Sequence, residues 1–254
     1  VVANQRLVSE GTRFFPQDLQ EEGYETAYIG KWHMGRSSDE PRKGFDHWES
    51  YPGQGVYFNP TFNINGTRQE FEGHITDIAT DRALRWLEED HEEPFFLYLS
   101  HKAPHYPFEP PKRYDGEYGD EPIDYPETMA YTEENYDSQP HWVKERRFGI
   151  HGIDHMITGN LDKDPVPNFD TLYHDFAESV AAIDENVGRV LDHLEENGMA
   201  ENTIVMYMGD NGFHLGEHGF YDKRDAFEES IRVPLVAWAP GRIEGGQRID
   251  DMVA

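Results

Sequence analysis

The sequence predicts an α/β fold with a largely parallel central sheet and helices on both of its faces. Apolar runs of strand length alternate along the chain with longer segments of helical periodicity, as in parallel strands joined by crossover helices. The main apolar runs lead into short segments rich in Gly, Pro, His, Lys, Asp or Asn. Reactive groups of such folds collect beyond the carboxyl ends of the strands, so the placement of these segments agrees with the predicted topology. A chain of 254 residues can form one large domain of this kind or two small ones.

The first predicted elements are a helix and the strand that follows it. Residues 12–23 have helical character, with Pro16 in the first turn, where its missing N–H has no helical partner to lose. The apolar run Thr26–Ile29 predicts a short strand. Residues 44–72 are rich in Gly, Asn and aromatic residues, and Asn65-Gly66 is a favoured turn pair. This region therefore predicts a hairpin or loop excursion rather than core sheet.

The second half of the chain repeats the alternation of helix and strand. Apolar residues at helical spacing predict an amphipathic helix over 74–89, and the uninterrupted apolar run over 94–99 predicts a strand buried on both faces. Residues 108–168 show little periodicity and predict an irregular insertion with short helical pieces. Three further elements follow, namely a helix over 171–197 and buried strands over 203–208 and 233–238.

The composition excludes several classes of function. The net charge is −28, from 50 acidic and 22 basic residues, which disfavours binding to nucleic acid and to anionic membranes. The acidity fits either a solvated surface, as in a salty habitat, or a patch that attracts a cationic partner. No run approaches the roughly 18 apolar residues that a membrane span requires. Without cysteine, these residues hold no disulfide, no thiolate-bound zinc and no cysteine nucleophile.

Oxygen ligands for a hard cation follow one of the predicted strands. Asp210 and Asn211 offer a carboxylate and an amide oxygen, which suit Ca²⁺ or Mg²⁺ better than a soft metal. A Ca²⁺ site needs about six to eight oxygen ligands, so others must come from elsewhere. Asp-Asn-Gly is also a favoured turn sequence, and a purely structural role for the pair stays open.

Cationic and imidazole groups lie in the other segments. Lys31 and Lys223 can each place an ammonium against an oxygen of a sulfate or phosphate. His33 and His105 can donate to anionic oxygens or transfer protons near neutral pH. Each alone also fits a solvated lysine or a packed histidine. Four such groups at predicted strand ends together favour a site that hydrolyses a sulfate or phosphate ester.

Three more histidines are candidates for substrate binding. His101 follows the apolar run over 94–99 and fits either an orienting donor or a residue that caps the backbone. His214 and His218 lie on either side of Gly216 and could face the leaving group of a substrate, although loop structure alone explains them equally well.

Several motifs occur in a fixed order along the chain. They are Gly23-Tyr24-Glu25-Thr26, Gly30-Lys31-Trp32-His33-Met34-Gly35, the segment Pro94–Pro107, Gly209-Asp210-Asn211-Gly212, Gly216-Glu217-His218-Gly219, Lys223, and Glu228-Glu229-Ser230-Ile231-Arg232-Val233-Pro234. In this order and combination they resemble the hallmarks of the formylglycine-dependent sulfatases, which belong to the alkaline phosphatase superfamily. The region around Pro126–Met129 most resembles bacterial sulfatases that act on sulfated sugars such as N-acetylglucosamine 6-sulfate.

The resemblance implies an alkaline-phosphatase-like fold and a role for each candidate residue. Lys31 and Lys223 would bind the sulfate, and His33 would hold the hydroxyl of the hydrated aldehyde. His105 would contact the sulfate near the leaving oxygen, and either His105 or Lys223 would protonate the departing alcohol. Asp210 would be a Ca²⁺ ligand, and so would its neighbour in the Asp-Asn pair, with Mg²⁺ as the second choice of metal.

Two parts of the family pattern are missing. The family's nucleophile is a formylglycine made from Cys or Ser in a Cys/Ser-x-Pro-x-Arg motif, and this chain contains no such motif. The paired acidic metal ligands expected near the family's N-terminus are missing too. We therefore expect residues 1–254 to be the central part of a catalytic domain, incomplete at both ends. Without the upstream nucleophile segment and the C-terminal subdomain, it should be inactive alone.

The expected function is that of a sulfuric ester hydrolase that releases inorganic sulfate from a sulfated carbohydrate. The alternatives are a phosphonate or phosphodiester hydrolase of the same superfamily, and a non-catalytic relative that binds sulfated glycans. Related enzymes that degrade polysaccharides are exported, so a periplasmic or extracellular location is expected, although these residues show no signal peptide. We expect no nucleic-acid partner and no membrane span, and the sequence leaves the oligomeric state open.

Overall fold

The computed structural model describes residues 11–35, 38–149, 151–153 and 169–250. The chain divides into two compact units. The first unit comprises Val1–Glu117 with Asp175–His193, and the second comprises Tyr118–His174 with Leu194–Ala254. In the described ranges, no helix is both long enough and apolar enough to cross a membrane.

The first unit contains a five-stranded sheet with strand order β4-β3-β2-β1-β5. Strand β1 pairs in parallel with both β2 and β5, while β3 and β4 form an antiparallel hairpin at one edge. The predicted largely parallel sheet is thereby confirmed, and the antiparallel hairpin at its edge makes the sheet mixed. The elements are α1 (Phe15–Glu21), β1 (Glu25–Gly30), β2 (His47–Ser50), β3 (Thr61–Ile64), β4 (Thr67–Glu70), α2 (Ile75–Leu87) and β5 (Phe95–Ser100).

Helices α1 and α2 cover opposite faces of this sheet, as the sequence predicts. Phe15 of α1 contacts Phe96 with ring centroids 5.2 Å apart, and Trp86 of α2 contacts Phe95 at 5.7 Å. Neighbouring residues of a strand point to opposite faces, so the two helices must lie on different sides of β5. Both helices occur where the sequence predicts them, although α1 is shorter than the predicted 12–23.

Region 44–72 corrects one expectation. The Asn65-Gly66 turn does join a hairpin, β3 and β4, but the same region also supplies β2, a core strand. Trp48 of β2 is fully buried and stacks on Tyr28 with ring centroids 4.9 Å apart. A four-residue strand flanked by Gly and polar residues is too short for its periodicity to stand out from the composition.

Aromatic side chains support the turn that follows β1. Their rings form one connected set, which we call the aromatic cluster: Tyr28, Trp32, Phe45, Trp48 and Tyr98. Burial raises the pKa of the Tyr28 phenol, so its hydroxyl stays protonated and donates a hydrogen bond to the backbone carbonyl of Lys31. The cluster thus holds the backbone at the start of the Lys31–His33 turn.

Strand β5 is less buried than its sequence suggests. Its side chains are only partly covered, and Tyr98 is 39% exposed, whereas the apolar run predicts burial on both faces. The strand lies at the end of the described sheet, where one side has no neighbouring strand. An apolar run shows that a strand can be buried, but it does not show how much of the strand its neighbours cover.

The second unit is built mainly from short elements. In its described part, region 108–168 has the predicted irregular character with short helical pieces, while residues 150 and 154–168 lie outside the described ranges. The predicted helix over 171–197 is present as α4, which contributes residues to both units. The elements are the 3₁₀ turn Glu127–Met129, the π-helical turn Glu133–Asp137, α3 (His141–Arg147), α4 (Phe169–Glu196), the 3₁₀ turn Ala200–Asn202, β6 (Val205–Met208), the 3₁₀ turn Glu217–Gly219, α5 (Glu228–Ile231) and β7 (Leu235–Trp238).

The two strands of the second unit are where the sequence places them, but they are not buried as expected. β6 and β7 form an antiparallel pair with no further strand beside it among the described residues. Met206 is 65% exposed and Val236 is 58% exposed. Because a two-stranded ribbon has little of its own surface to cover its side chains, apolar residues remain in contact with solvent.

Candidate active site

Two of the predicted site segments leave the sheet of the first unit side by side. The amide of Lys31 donates to the carbonyl of Ser100 at 2.8 Å, and the Ser100 hydroxyl donates to the carbonyl of Lys31 at 2.9 Å. Strands β1 and β5 are parallel neighbours, so their carboxyl ends lie at the same edge of the sheet. The segment that carries Lys31 and His33 therefore leaves the sheet beside the segment that carries His101 and His105.

A glycine allows this close approach of the two strands. Gly30 has φ of +121°, and a Cβ atom built there would lie 1.9 Å from the carbonyl oxygen of Ser100. No side chain fits at that distance, so the position requires glycine. Gly30, the first residue of the Gly30–Gly35 motif, thus allows the ends of β1 and β5 to lie in contact.

His33 occupies a strained backbone conformation in this turn. Its φ is +52°, a left-handed value that costs a residue with a Cβ about 1 kcal/mol or more. The Gln54 side-chain nitrogen lies 3.3 Å from Nδ1 and 3.2 Å from Nε2 of the His33 ring. An atom so nearly equidistant from both nitrogens lies over the ring face rather than along either lone pair. Gln54 therefore supports the ring without fixing which nitrogen carries the proton.

His105 is held by a tyrosine from a distant part of the chain. The Tyr57 hydroxyl donates to the carbonyl of His105 at 2.5 Å and accepts from its amide at 3.1 Å. The His105 Nδ1 lies 2.6 Å from the carbonyl of Tyr106, which can only accept, so Nδ1 carries a proton. In the neutral ring the lone pair is then on Nε2, and the ring must gain a second proton before Nε2 can donate.

His101 is poised to stay neutral. Its Nε2 pairs with the Thr80 hydroxyl at 3.0 Å, and desolvation of the ring lowers the pKa of His101 to about 4. A neutral imidazole beside the site can accept or donate one hydrogen bond but contributes no charge. This geometry favours the orienting role for His101 over the backbone-capping role.

Lys102 is a candidate that the sequence interpretation missed. Its side chain is 5% exposed, and its ammonium lies 4.2 Å from the centroid of the Tyr57 ring. Burial lowers the pKa of Lys102 to about 8, while Glu109 acts in the opposite direction. The residue lies between His101 and His105 in a predicted site segment, and this position is the signal that could have identified it.

The predicted metal ligands follow β6 in the second unit. The Asp210 side chain is exposed. The Asn211 amide nitrogen donates to the carbonyl of Gly212 at 2.7 Å, which leaves the amide oxygen as the group available to a cation. These hard oxygens fit part of a Ca²⁺ or Mg²⁺ shell. Among the described residues, no group of three or more Asp, Glu or His side chains could hold a metal.

In the sequence of the second unit, Lys223 is flanked by two aspartates whose carboxylates are buried. Asp222 and Asp225 are each 3% exposed at the side chain, and the guanidinium of Arg146 contacts both. The His214 ring is fully buried, and its Nε2 pairs with Asp225 at 3.0 Å. A ring without exposed surface cannot reach a substrate directly, so this geometry favours a role for His214 in holding Asp225.

His218 lies on the loop that follows β6 and keeps part of its surface exposed. Its φ of +57° is left-handed, and its amide donates to the Thr128 hydroxyl at 3.1 Å. Its ring stacks on Phe227 with centroids 4.1 Å apart, and Nε2 lies 3.4 Å from a carboxylate oxygen of Glu229. The interactions of His218 thus orient its ring from several sides.

The structure groups the predicted residues in two sets, one in each unit. The first unit carries the Lys31 and His105 segments and the second carries the Asp210 and Lys223 segments. The members of the first set are Lys31, His33, His101 and His105, and those of the second are Asp210, Asn211, His214, His218 and Lys223.

Comparison with known proteins identifies the family. The sequence pattern of the Sulfatase family matches residues 4–253. The N-acetylglucosamine-6-O-sulfatase of Bacteroides thetaiotaomicron is 32% identical over 287 residues, covering 91% of this chain and 50% of the relative. The iduronate 2-sulfatase of Mus musculus is 30% identical over 262 residues, covering 93% and 47%. The chain thus spans about half the length of the curated relatives it matches.

Solved structures agree with the sequence comparison. The structure of BT4656 in complex with its substrate D-glucosamine-2-N,6-O-disulfate superposes with a TM-score of 0.77 at 30% identity, covering 96% of this chain and 58% of that one. A phosphonate monoester hydrolase from Silicibacter pomeroyi superposes with a TM-score of 0.65 at 17% identity, covering 94% and 55%, and shares the fold alone. The chain belongs to the sulfatase family, with the alkaline-phosphatase-like α/β fold of that family.

Proposed function

We propose that the full-length protein hydrolyses sulfate esters of a carbohydrate and releases inorganic sulfate. The observation that carries the proposal is the joining of β1 and β5, which groups Lys31 and His33 with His101 and His105 at one sheet edge. Membership of the sulfatase family supports the reaction class. A chain of net charge −28 repels anions, so cations fixed at the site are needed to bind a sulfate.

Each proposed role follows from the chemistry of the side chain. Lys31 and Lys223 bind non-bridging sulfate oxygens and stabilise the charge that grows on them. A formylglycine made from an upstream Cys or Ser and a divalent cation supply the nucleophile and further positive charge when present. Asp210 and Asn211 are proposed ligands of that cation, with Ca²⁺ ahead of Mg²⁺, because both offer hard oxygens. His33 holds the hydroxyl of the nucleophile.

Protonation of the leaving alcohol is assigned to His105 or Lys223. The proton that His105 carries on Nδ1 is engaged by Tyr106, so His105 donates from Nε2 as an imidazolium. His101 stays neutral and orients its neighbours, while His214 acts through Asp225. His218 is proposed to face the leaving group.

The proposed substrate is a sulfated amino sugar. One relative is named an N-acetylglucosamine-6-O-sulfatase, and BT4656 was solved with a glucosamine disulfate. We therefore propose N-acetylglucosamine 6-sulfate or a glycan that carries it, and export to the periplasm or the outside of the cell, where such glycans occur. The location is tested by fractionating cells and measuring sulfatase activity in each fraction.

The reaction is tested by sulfate release from N-acetylglucosamine 6-sulfate with the full-length protein. Lys31→Ala and Lys223→Ala should each lose about 10²-fold in turnover, as expected when one preorganised oxyanion donor is removed. Lys112→Ala, which removes an exposed lysine of the first unit, is the matched control and should change turnover little. Unchanged turnover in both site variants would contradict the assignment.

The two alternatives are separated by simple measurements. Rates on sulfate, phosphate and phosphonate esters of one alcohol distinguish a sulfatase from a phosphonate or phosphodiester hydrolase, whose fold this chain shares. A non-catalytic glycan-binding relative would bind the sulfated sugar without releasing sulfate. The residue at the upstream nucleophile position gives the same answer, since the enzyme requires Cys or Ser in a Cys/Ser-x-Pro-x-Arg motif.

A further inference from the structure

The last turn of α3 carries Arg146, which contacts residues before and after Lys223 in the sequence. The Nη2 of Arg146 lies 2.6 Å from a carboxylate oxygen of Asp222, and its Nη1 lies 3.3 Å from a carboxylate oxygen of Asp225. Nη1 also donates to the carbonyl of Arg224 at 3.1 Å. One rigid guanidinium therefore contacts the residues before and after Lys223, which a point-charge ammonium could not do with the same geometry.

Asp222 and Asp225 are fixed by further partners. The carbonyl of Asp222 accepts from the amide of His214 at 2.8 Å. Asp225 accepts from the His214 ring at 3.0 Å and from the Ser230 hydroxyl at 2.7 Å. Although burial favours the neutral acid, these hydrogen bonds dominate and hold the pKa of Asp225 below its usual value. Both carboxylates are nearly buried, so among the described residues removing Arg146 leaves Asp225 without a guanidinium partner, while Asp222 keeps only the exposed Arg224.

Within the part of the chain described, no hydrogen bond or ion pair fixes the Lys223 side chain, whereas its neighbours Asp222 and Arg224 are both held by Arg146. A further contact ties α3 to the same loop, because Trp142 lies against Phe227 with ring centroids 6.0 Å apart. We propose that Arg146 is a positioning residue for Lys223. Through Asp222 and Asp225 it holds the lysine where its ammonium binds the sulfate.

This inference rests on the proposed function, since it takes Lys223 as a sulfate-binding group. It goes further by assigning a role to region 108–168, which carries Arg146 and in which the sequence shows no site residue. Helix α3 is then part of the machinery that aligns the sulfate. A change in α3 should alter turnover without touching the substrate.

A double-mutant cycle in the full-length protein tests the coupling between Arg146 and Lys223. kcat/KM for sulfate release is measured for Arg146→Gln, for Lys223→Ala and for the double variant. Since a misplacement of about 1 Å costs up to about 10²-fold, Arg146→Gln should lose roughly 10- to 100-fold, mostly in kcat. In the Lys223→Ala background the same change should cost less than about 2-fold, because the lysine to be positioned is gone.

Two further variants provide the controls. Arg224 also pairs with Asp222, but its own side chain is 63% exposed. Arg224→Gln should therefore stay within about 2-fold of the wild type. Arg146→Lys keeps the charge but loses the two-pronged contact, so it should recover part of the rate. If Arg146→Gln does not fold, the cycle is run with Arg146→Lys, with a smaller expected factor.

The outcomes separate the two hypotheses. A full loss from Arg146→Gln on top of Lys223→Ala would overturn the positioning role while leaving the sulfatase proposal intact. If Lys223→Ala itself keeps the wild-type rate, the proposed role of Lys223 fails, and the positioning role fails with it. Coupling confined to the background that contains Lys223 supports both.

Discussion

Replacing the buried Lys102 by Met should make the protein more stable at neutral pH. The lysine side chain is 5% exposed and its ammonium lies on the Tyr57 ring, with no ion pair to a carboxylate among the described residues. Met is flexible and apolar and fills nearly the same volume. The substitution therefore removes the cost of burying a charge while keeping most of the packing.

The magnitude follows from the pKa of Lys102. Burial lowers that pKa from 10.5 to about 8. A change of one unit in pKa corresponds to about 1.4 kcal/mol, so burying the protonated lysine lowers the free energy of unfolding by about 3 kcal/mol. The cation–π contact with Tyr57 returns up to about 2 kcal/mol, so we expect Lys102→Met to gain about 1 to 3 kcal/mol below pH 8.

The gain should depend on pH in a defined direction. Between pH 8 and pH 10.5 the unfolded wild type binds more protons than the folded one, so its stability rises with pH. Lys102→Met has no such titration, and its advantage should shrink to near zero or below as the pH passes 10.5. Other groups titrate in both proteins alike and cancel in the difference.

Urea unfolding of the full-length wild type and variant at neutral and alkaline pH measures this difference. Lys112→Met is the matched control, because that lysine is exposed and its loss should change stability little at either pH. A variant less stable than wild type at neutral pH, or a difference that is constant with pH, would refute the reasoning. A stabler variant that releases sulfate more slowly would show that the buried ammonium is retained for the site.

Two other substitutions test the first unit. Gly30→Ala places a Cβ 1.9 Å from the Ser100 carbonyl and should cost about 3 kcal/mol or more in thermal or urea unfolding, while Gly188→Ala, in α4 with no atom within 4 Å, should gain about 1 kcal/mol. Equal effects would contradict the close approach of β1 and β5. His101→Gln keeps a polar group near Thr80 but removes an imidazole whose pKa burial lowers from 6.5 to about 4. Because the unfolded wild type gains a proton in that range and the folded one does not, wild-type stability falls as the pH drops, and the variant should lose roughly 2 to 3 kcal/mol less stability between pH 7 and pH 4. Equal losses in the two proteins would show that the folded ring is protonated at its ordinary pKa.

Much of the fold was predictable because it rests on local patterns. Helices α2 and α4 carry long apolar stripes, α1 has a proline in its first turn, and strands β1 and β5 lead directly into the site segments. Strand β2 was missed because four residues give too little periodicity. The burial of β6 and β7 was predicted wrongly because an apolar run does not report how many neighbours cover a strand within its unit.

The supporting residues of the site were harder to predict because their contacts are distant in sequence. Tyr57 lies 48 residues from His105, and Arg146 lies 76 residues from Asp222. Nothing local marks either residue as different from an ordinary tyrosine or a surface arginine. In the sequence, Lys102 looks like any solvated lysine, and only its burial against Tyr57 in the structure distinguishes it.

The aromatic cluster beneath the Lys31 turn has an optical consequence. The indole rings of Trp32 and Trp48 meet edge to face with centroids 5.4 Å apart, close enough for their electronic transitions to couple. Trp32 lies between Lys31 and His33 in the sequence, so any shift of that turn changes the angle between the two transition dipoles. The near-ultraviolet circular dichroism of the unlabelled protein thus contains a built-in reporter of whether an anion moves the lysine that is proposed to bind it.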